Sequence, residues 1–433
     1  MKLTAAAVLA VAAVACTQKD PTSVDASLLP EQPVTVEVSL PWQDFGSNLG
    51  YYGGYGSAAQ TGTGYVANDF GGKLTARSLV RFGGYPVSAV VLDSLGSQLT
   101  DYDLTFHGGR VVAFFDTLGS VATKPITLQL SVLRNDWDVR TATWTMAVDT
   151  VGNQTPWGEP GAGPVEDLTT AVWDPSTGDS AVFVLDSAQA LTWEDTASVG
   201  TASVVGARLS ALTPGARLKL TDVALRLDTR SSLRPDTALV LSVDRSDLTF
   251  VYDPQPAPPT SGIRVGGVPS WRSVMDVNVP RTLDGPPQLC AVVQCPMTLT
   301  KDEITYAALV LHTMAGDTAY APSDTVYLDA RPVFDRTLLP KAPLGGSMIT
   351  SGLGRRLPPS LFGADQGAAV EIPVTSWMQA VIADTTNTGP RTVALVSTYE
   401  PLRISYASFY GPSSTLAPTL RLVVTVGPPV EHP

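Results

Sequence analysis

The sequence predicts an all-β protein built as two tandem, jelly-roll-like antiparallel β-sandwich domains. Three observations carry this. Short Val-, Thr- and Leu-rich runs follow one another closely, separated by Gly, Pro, Asp and Ser clusters, which is the spacing of a sandwich or barrel. Strong helix formers such as Glu and Lys are scarce, while Gly (37) and Pro (35) are frequent. The second half also repeats the order of the first. RSLVRF (77–82) answers to RSVMDV (272–277), DLTF and GRVVAFF to EITY and AALVLH, and ITLQLSVL (126–133) to TVYLDARPV (325–333). VFVLDSAQALTWEDT (182–196) answers to VEIPVTSWMQAVIADT (370–385), and RPDTALVLSV (234–243) to APTLRLVVTV (417–426). Five matches in one order describe two copies of a whole domain, with a period too long for a solenoid.

Taken in order, residues 1–15 read as a secretory signal: Lys2, then an apolar run from Leu3 to Ala15 that is too short to span a bilayer. Two cleavage readings compete. Ala13-Val14-Ala15 suits the general signal peptidase; the same residues before Cys16 resemble a bacterial lipobox, with Ala13 in place of the usual Leu. Cysteine arithmetic favours lipidation of Cys16. Cys290 and Cys295 sit close enough in CAVVQC to form a small disulfide loop, which leaves Cys16 alone in an exported chain. The modification supplies two or three acyl chains, enough for stable anchoring. Thr17 after the cysteine favours the outer membrane. Plain secretion is the alternative.

Residues 16–33 lack periodicity and read as a tether. The first sandwich is expected over 34–251, opening on Val34, Val36, Val38 and Leu40 along one strand face. Within it, 45–72 mixes glycine and tyrosine without alternation. This reads as a long surface loop, or more sharply as an aromatic glycan contact using Tyr51, Tyr52, Tyr55 and Tyr65, joined by Trp157. Residues 252–262 (YDPQPAPPTSG) read as a Pro-rich linker, 263–428 as the second sandwich and 429–433 as a tail. SAQALTW and SWMQAVIA are the only helical patterns, with Ser187 and Ser376 as N-caps and Trp193 and Trp377 as core residues. In the last strands, Leu239, Leu241 and Val243 face one side, and Leu420, Leu422 and Val424 face inward; Pro235 and Pro418 start those strands.

The order RSLVRF, WDVRTATW (137–144), TPWGEPGAG (155–163), LDSAQALTW and RPDTALVLSV resembles DNRLRE-type domains over about residues 73–243. That resemblance implies a jelly-roll sandwich of a bacterial surface protein, some relatives being grouped with carbohydrate-binding modules. Gly83 stands where the family usually has Asp, and the second copy lacks the double-Trp segment. No ligand residue is carried over from the family.

Chemistry is sparse. His107, His312 and His432 form no metal motif, and no nucleophile elbow occurs, so no enzyme is expected. Carboxylate pairs such as Asp101/Asp103 or Glu194/Asp195 suit solvated turns better than a structural Ca²⁺ site, and no cofactor is expected. The net charge of −12 and the lack of a basic patch argue against nucleic acid. The expected role is a non-catalytic, lipid-anchored cell-envelope protein binding glycan or an envelope partner. A purely structural spacer and a polysaccharide hydrolase are the alternatives.

Overall fold

A computed structural model describes residues 33–194, 205–349 and 352–427. Cys16, the signal segment, the tether up to residue 32, Asp195 and His432 lie outside the described residues. The fold is all-β and antiparallel, as the alternation and turn spacing require.

The chain opens with β1 (Val34–Pro41), a single turn α1 (Trp42–Phe45) and β2 (Gly46–Tyr52). Next come β3 (Gly64–Phe70), β4 (Leu74–Phe82), a hairpin of β5 (Ala89–Leu92) and β6 (Gln98–Asp101), β7 (Leu104–Phe115) and β8 (Ile126–Leu133). A second small hairpin, β9 (Met146–Thr150) and β10 (Asn153–Pro156), precedes β11 (Glu166–Trp173), β12 (Ser180–Leu185) and α2 (Ser187–Ala190). The first sandwich ends with β13 (Gly206–Ala211), β14 (Ala216–Ser231), β15 (Ala238–Val243) and β16 (Arg245–Asp253). After a proline-rich strap come β17 (Ile263–Gly266), β18 (Arg272–Val277), β19 (Thr282–Leu283), α3 (Pro287–Cys290) and β20 (Met297–Thr298). The chain continues through β21 (Ile304–His312), β22 (Val326–Val333), β23 (Arg355–Leu357), β24 (Ala369–Pro373) and α4 (Thr375–Ala383). It closes with β25 (Thr392–Ser397), β26 (Tyr406–Phe409) and β27 (Thr419–Val426).

The repeat is topological. In the first sandwich one layer runs β11-β8-β13-β4-β16; in the second, β23-β22-β25-β18-β2. The opposing layers run β12-β7-β14, flanked by β3 and β15, and β24-β21-β27-β1. Thus β4 corresponds to β18, β7 to β21, β8 to β22, and β12 with α2 to β24 with α4. Ser78 and Ser273, at the same place in the repeat, are both buried and each donates to a backbone carbonyl, that of Tyr65 and of Arg264, at 2.9 Å. The fifth sequence match is displaced. The counterpart of β27 is β14, because both lie beside the β7/β21 strand; β15 is a hairpin extension of β14.

The domain boundary at residue 34 also changes. β1 pairs along its whole length with β27, from Val34 opposite Val426 to Pro41 opposite Thr419, and β2 pairs with β18. The opening 34–52 segment therefore belongs to the second sandwich, and the first is inserted between β2 and β17. Alternation told correctly which side of β1 is buried, with Val36 and Leu40 in the core of the second sandwich beside Leu420, Leu422 and Val424. It carries no information about which sheet receives the strand. The linker also starts later than residue 252, since Tyr252 and Asp253 complete β16 opposite Ala76 and Thr75.

Each sandwich has its own core. Phe82, Phe183, Leu209 and Leu225 lie inside the first, where Trp193 stacks edge-on with Phe82 at 5.1 Å and donates to the Gly206 carbonyl at 3.1 Å. Phe45, Met275, Leu309 and Leu395 lie inside the second. The helix caps fall one or two residues earlier than the serines. Asp186 caps α2 through a reciprocal box with Gln189, and Ser187 is already helical; α4 begins after Val374, with Ser376 inside it. Cys290 and Cys295 form the expected disulfide, with a Cα separation of 5.4 Å, next to the buried Leu289 of α3.

A third cluster joins the sandwiches. Tyr65, Ala76, Phe250 and Tyr252 of the first pack against Val268, Tyr320, Ile404 and Tyr406 of the second. Tyr320 and Tyr406 stack at 5.6 Å, and the Tyr320 hydroxyl donates to the Pro254 carbonyl at the start of the strap.

Candidate functional site

The outer face of the five-stranded layer in the first sandwich carries the candidate site. Strand parity places Thr75, Arg77, Leu79 and Arg81 of β4 on this face, next to Val251 and Asp253 of β16 and to Arg208 and Ser210 of β13. The excursion between β8 and β11 folds back over part of it. Leu79, Leu133 and Val251 meet Trp137, Ala147, Trp157 and Ala162 there in a small outer core. Local chemistry shapes the excursion. The Asp138 carboxylate accepts from the Arg140 and Thr141 backbone N–H groups at 3.0 and 2.9 Å, an Asx-type turn. Trp157 donates to the Thr143 carbonyl at 2.8 Å. Guanidinium groups on β4 hold the indoles, with Arg81 4.3 Å above Trp137 and Arg77 5.0 Å above Trp144.

Two concavities border this excursion. One is a groove of about 460 Å³ between the sandwiches, lined by Trp144, Thr143, Thr145, Tyr252, Gln255 and Val268. Trp144 is half-buried and Tyr252 almost fully buried. The other is a pocket of about 220 Å³ on the uncovered part of the sheet, where Arg77, Arg208, Gln129, Asp167 and Ser210 converge. Both arginines are tied to the excursion through Gly161, whose carbonyl accepts from Arg77 at 2.6 Å and from Arg208 at 3.4 Å. A side chain at Gly161 has no room: a Cβ would lie 2.6 Å from the Arg77 guanidinium and 2.7 Å from Trp144, at a φ of +81°. Burial, and then the neighbouring Arg77 charge, lower the Arg208 guanidinium to about 10. A further cleft of about 500 Å³ lies under the strap, beside Arg264, Asp317, Tyr320 and Tyr406. Arg264 there sits 4.1 Å over Tyr406 and donates to the Ala257 carbonyl of the strap.

The aromatic residues chosen from the sequence do not assemble into this site. Tyr65 is buried in the junction, edge-on to Phe250 at 5.0 Å, and burial pushes its hydroxyl up to about 12. Trp157 is buried in the outer core. Neither offers a free ring face. Tyr51 and Tyr52 lie on β2 opposite Ser273 and Arg272, and Tyr52 packs against the outer layer of the second sandwich. The Tyr55 ring lies 3.7 Å under Arg272, and its hydroxyl donates to the Pro340 carbonyl. The Gly/Tyr segment is thus the edge strand β2 of the second sandwich, a connector, and β3 of the first, not a long surface loop. Sequence reasoning missed Trp144, Arg77, Arg208 and Gln255. Trp144, Arg77 and Gln255 fall within segments (137–144, 77–82 and 252–262) that it singled out for other reasons.

His107 is exposed and His312 half-buried, each on its own sandwich, on β7 and β21. Asp101 is a turn organiser: it accepts from Ser231, from Ser232 at 3.0 Å and from the Asp103 and Leu233 backbone, and these bonds hold its carboxyl well below the usual range.

No family model matches the chain, and neither does any curated protein. A solved structure named BspA_C_WT aligns over 79% of this chain and 91% of its own, with 9% identity and a TM-score of 0.11, too low to carry any argument.

Proposed function

We propose that the protein is a non-catalytic, lipid-anchored component of a bacterial cell envelope that binds glycan in the groove between its two sandwiches. The observation that carries this reading is Trp144. It is a half-buried indole held in place by Arg77 and Gly161, and it lines a concavity edged by the Thr143 and Thr145 hydroxyls and the Gln255 amide. Flat aromatic faces flanked by hydroxyl and amide groups suit sugar rings, which present both C–H faces and hydroxyls. Among the residues lining this groove Asp253 is the single carboxylate, whereas glycoside hydrolysis uses a flanking pair. The DNRLRE-type resemblance of residues 73–243 agrees with such a role, and Cys16 is the proposed lipid site.

Two expected results test the reading. In affinity electrophoresis of the mature chain against a polysaccharide panel, Trp144→Ala weakens retention by about tenfold or more, as expected for loss of an aromatic anchor. Its melting temperature should stay close to that of the wild type. Unchanged retention would count against the groove. Cys16→Ser, expressed in a bacterial host, moves the protein from the membrane fraction to the soluble exported fraction; an unmoved protein would count against the lipid anchor.

A further inference from the structure

The internal repeat provides a control for the Arg77 pocket within the same molecule. Arg77 on β4 and Arg272 on β18 occupy the same place in their sandwiches. Arg272 is closed off: it pairs with Glu400 at 3.0 Å and lies over the Tyr55 ring. The β25 residue at the place of Arg208 is Ala394, since Arg208 stands opposite Leu79 and Ala394 opposite Val274. There Val274, Ala394 and Val396 are buried against Val333 and Ala342 in an apolar outer layer.

The first sandwich keeps this face open and places a second cation on it. Among the described residues, neither Arg77 nor Arg208 has a carboxylate within ion-pair distance, although thirteen such pairs occur elsewhere. Their shown hydrogen bonds go to the carbonyls of Gly161 and Ala162. The Nε of Arg208 is buried and has no acceptor among the described residues. Two partly buried, mutually repelling guanidiniums with spare N–H groups favour an anion between them. Two acids act on these cations without pairing with them: Asp167, which already accepts from Ser131 at 2.8 Å, beside Arg208, and Glu159 beside both. Their charges oppose a dianion more than a single carboxylate.

We infer that the Arg77–Arg208 pocket, also lined by Gln129 and Ser210, is a subsite for a single carboxylate, such as that of a sugar acid, held in a fork by the two guanidiniums. The inference extends the glycan reading only in naming the charged group that the ligand carries, because Arg77 links this pocket to Trp144.

The test uses the full mature chain with polygalacturonate, a neutral galactan and free d-glucuronate, read by affinity electrophoresis and thermal shift. Arg208→Gln should lose about tenfold or more in polygalacturonate binding, the scale of one charge-assisted hydrogen bond, and keep whatever galactan binding the wild type has. Asp167→Asn, which removes one opposing charge and retains an acceptor for Ser131, should bind polygalacturonate more tightly; a merely structural pocket would not respond this way. If d-glucuronate raises the melting temperature of the wild type but not of Arg208→Gln while neither polymer binds, the carboxylate site stands and the glycan reading falls. Equal polygalacturonate binding by wild type and Arg208→Gln overturns the inference. So does a wild type indifferent to both polygalacturonate and d-glucuronate.

Discussion

Deleting residues 1–52 should unfold the C-terminal sandwich and leave the N-terminal one intact. β1 supplies a full strand to the edge of β27, and β2 covers β18. Their loss removes Val36, Leu40 and Phe45 from the core and bares the ladder edge of Leu420, Leu422 and Val424. Burying one large aliphatic or aromatic side chain contributes about 1.5–3 kcal/mol, so three together rival the 5–15 kcal/mol by which a typical domain is stable. All strands of the first sandwich, β3 to β16, lie within residues 64–253, and none of its layers draws on the deleted segment. Hydrogen exchange with mass spectrometry should show fast exchange throughout 263–427 and native protection in β7, β13 and β14. A synthetic 33–52 peptide added in trans should restore protection to β27. Two sandwiches arranged strictly one after the other predict the reverse, with damage confined to the first; that outcome would refute the interleaved arrangement.

The same segment marks how much was legible beforehand. Period-two alternation in VTVEVSL or TLRLVVTV identifies a strand and its buried face, because successive side chains point to opposite sides. It names no partner. β1 and β27 are separated by nearly the whole sequence, and only the fold brings Val34 to Val426. The repeat was legible because Ser78 and Ser273 do equivalent work in the two copies; of the two tryptophans expected in the cores, Trp193 is fully buried while Trp377 is only half-buried against its core. The repeat slipped at β15, whose apolar pattern is as regular as that of β14. The site was less visible still. An outward arginine on a strand reads as an ordinary solvent-facing residue, and nothing local reveals that Gly161 and the 134–165 excursion wall it in. Tyr65 erred the other way: in a Gly-rich stretch it reads as exposed, while its ring is committed to the junction with Phe250.

Replacing Arg217 should cost more than replacing any exposed charge at the junction. Arg217 is almost fully buried and has no carboxylate partner among the described residues. Burial lowers its pKa, yet the charge is accommodated by backbone from the other sandwich. One guanidinium nitrogen donates to the Ala319 carbonyl at 2.8 Å, and another to Ala321 at 3.0 Å and to the Ser323 hydroxyl at 3.2 Å. Ser323 in turn donates to the Gly119 carbonyl at 3.1 Å, returning to the first sandwich, and the Phe70 ring lies 5.1 Å from the guanidinium carbon. Methionine keeps the volume but leaves two carbonyls without donors. Hydrogen bonds to charged groups contribute about 1.5–3 kcal/mol each and an orphaned buried acceptor costs about 1–3, so Arg217→Met should lose about 3–5 kcal/mol of stability. Lys73 pairs with Asp317 across the same junction but is substantially exposed, so Lys73→Met should change stability by about 1 kcal/mol or less. Urea denaturation followed by tryptophan fluorescence separates the two, since most indoles lie in the first sandwich, and a second transition should emerge for Arg217→Met as the halves uncouple. If Arg217→Met costs no more than Lys73→Met, the tyrosine and phenylalanine rings hold the junction alone, and the buried guanidinium serves only to fill space.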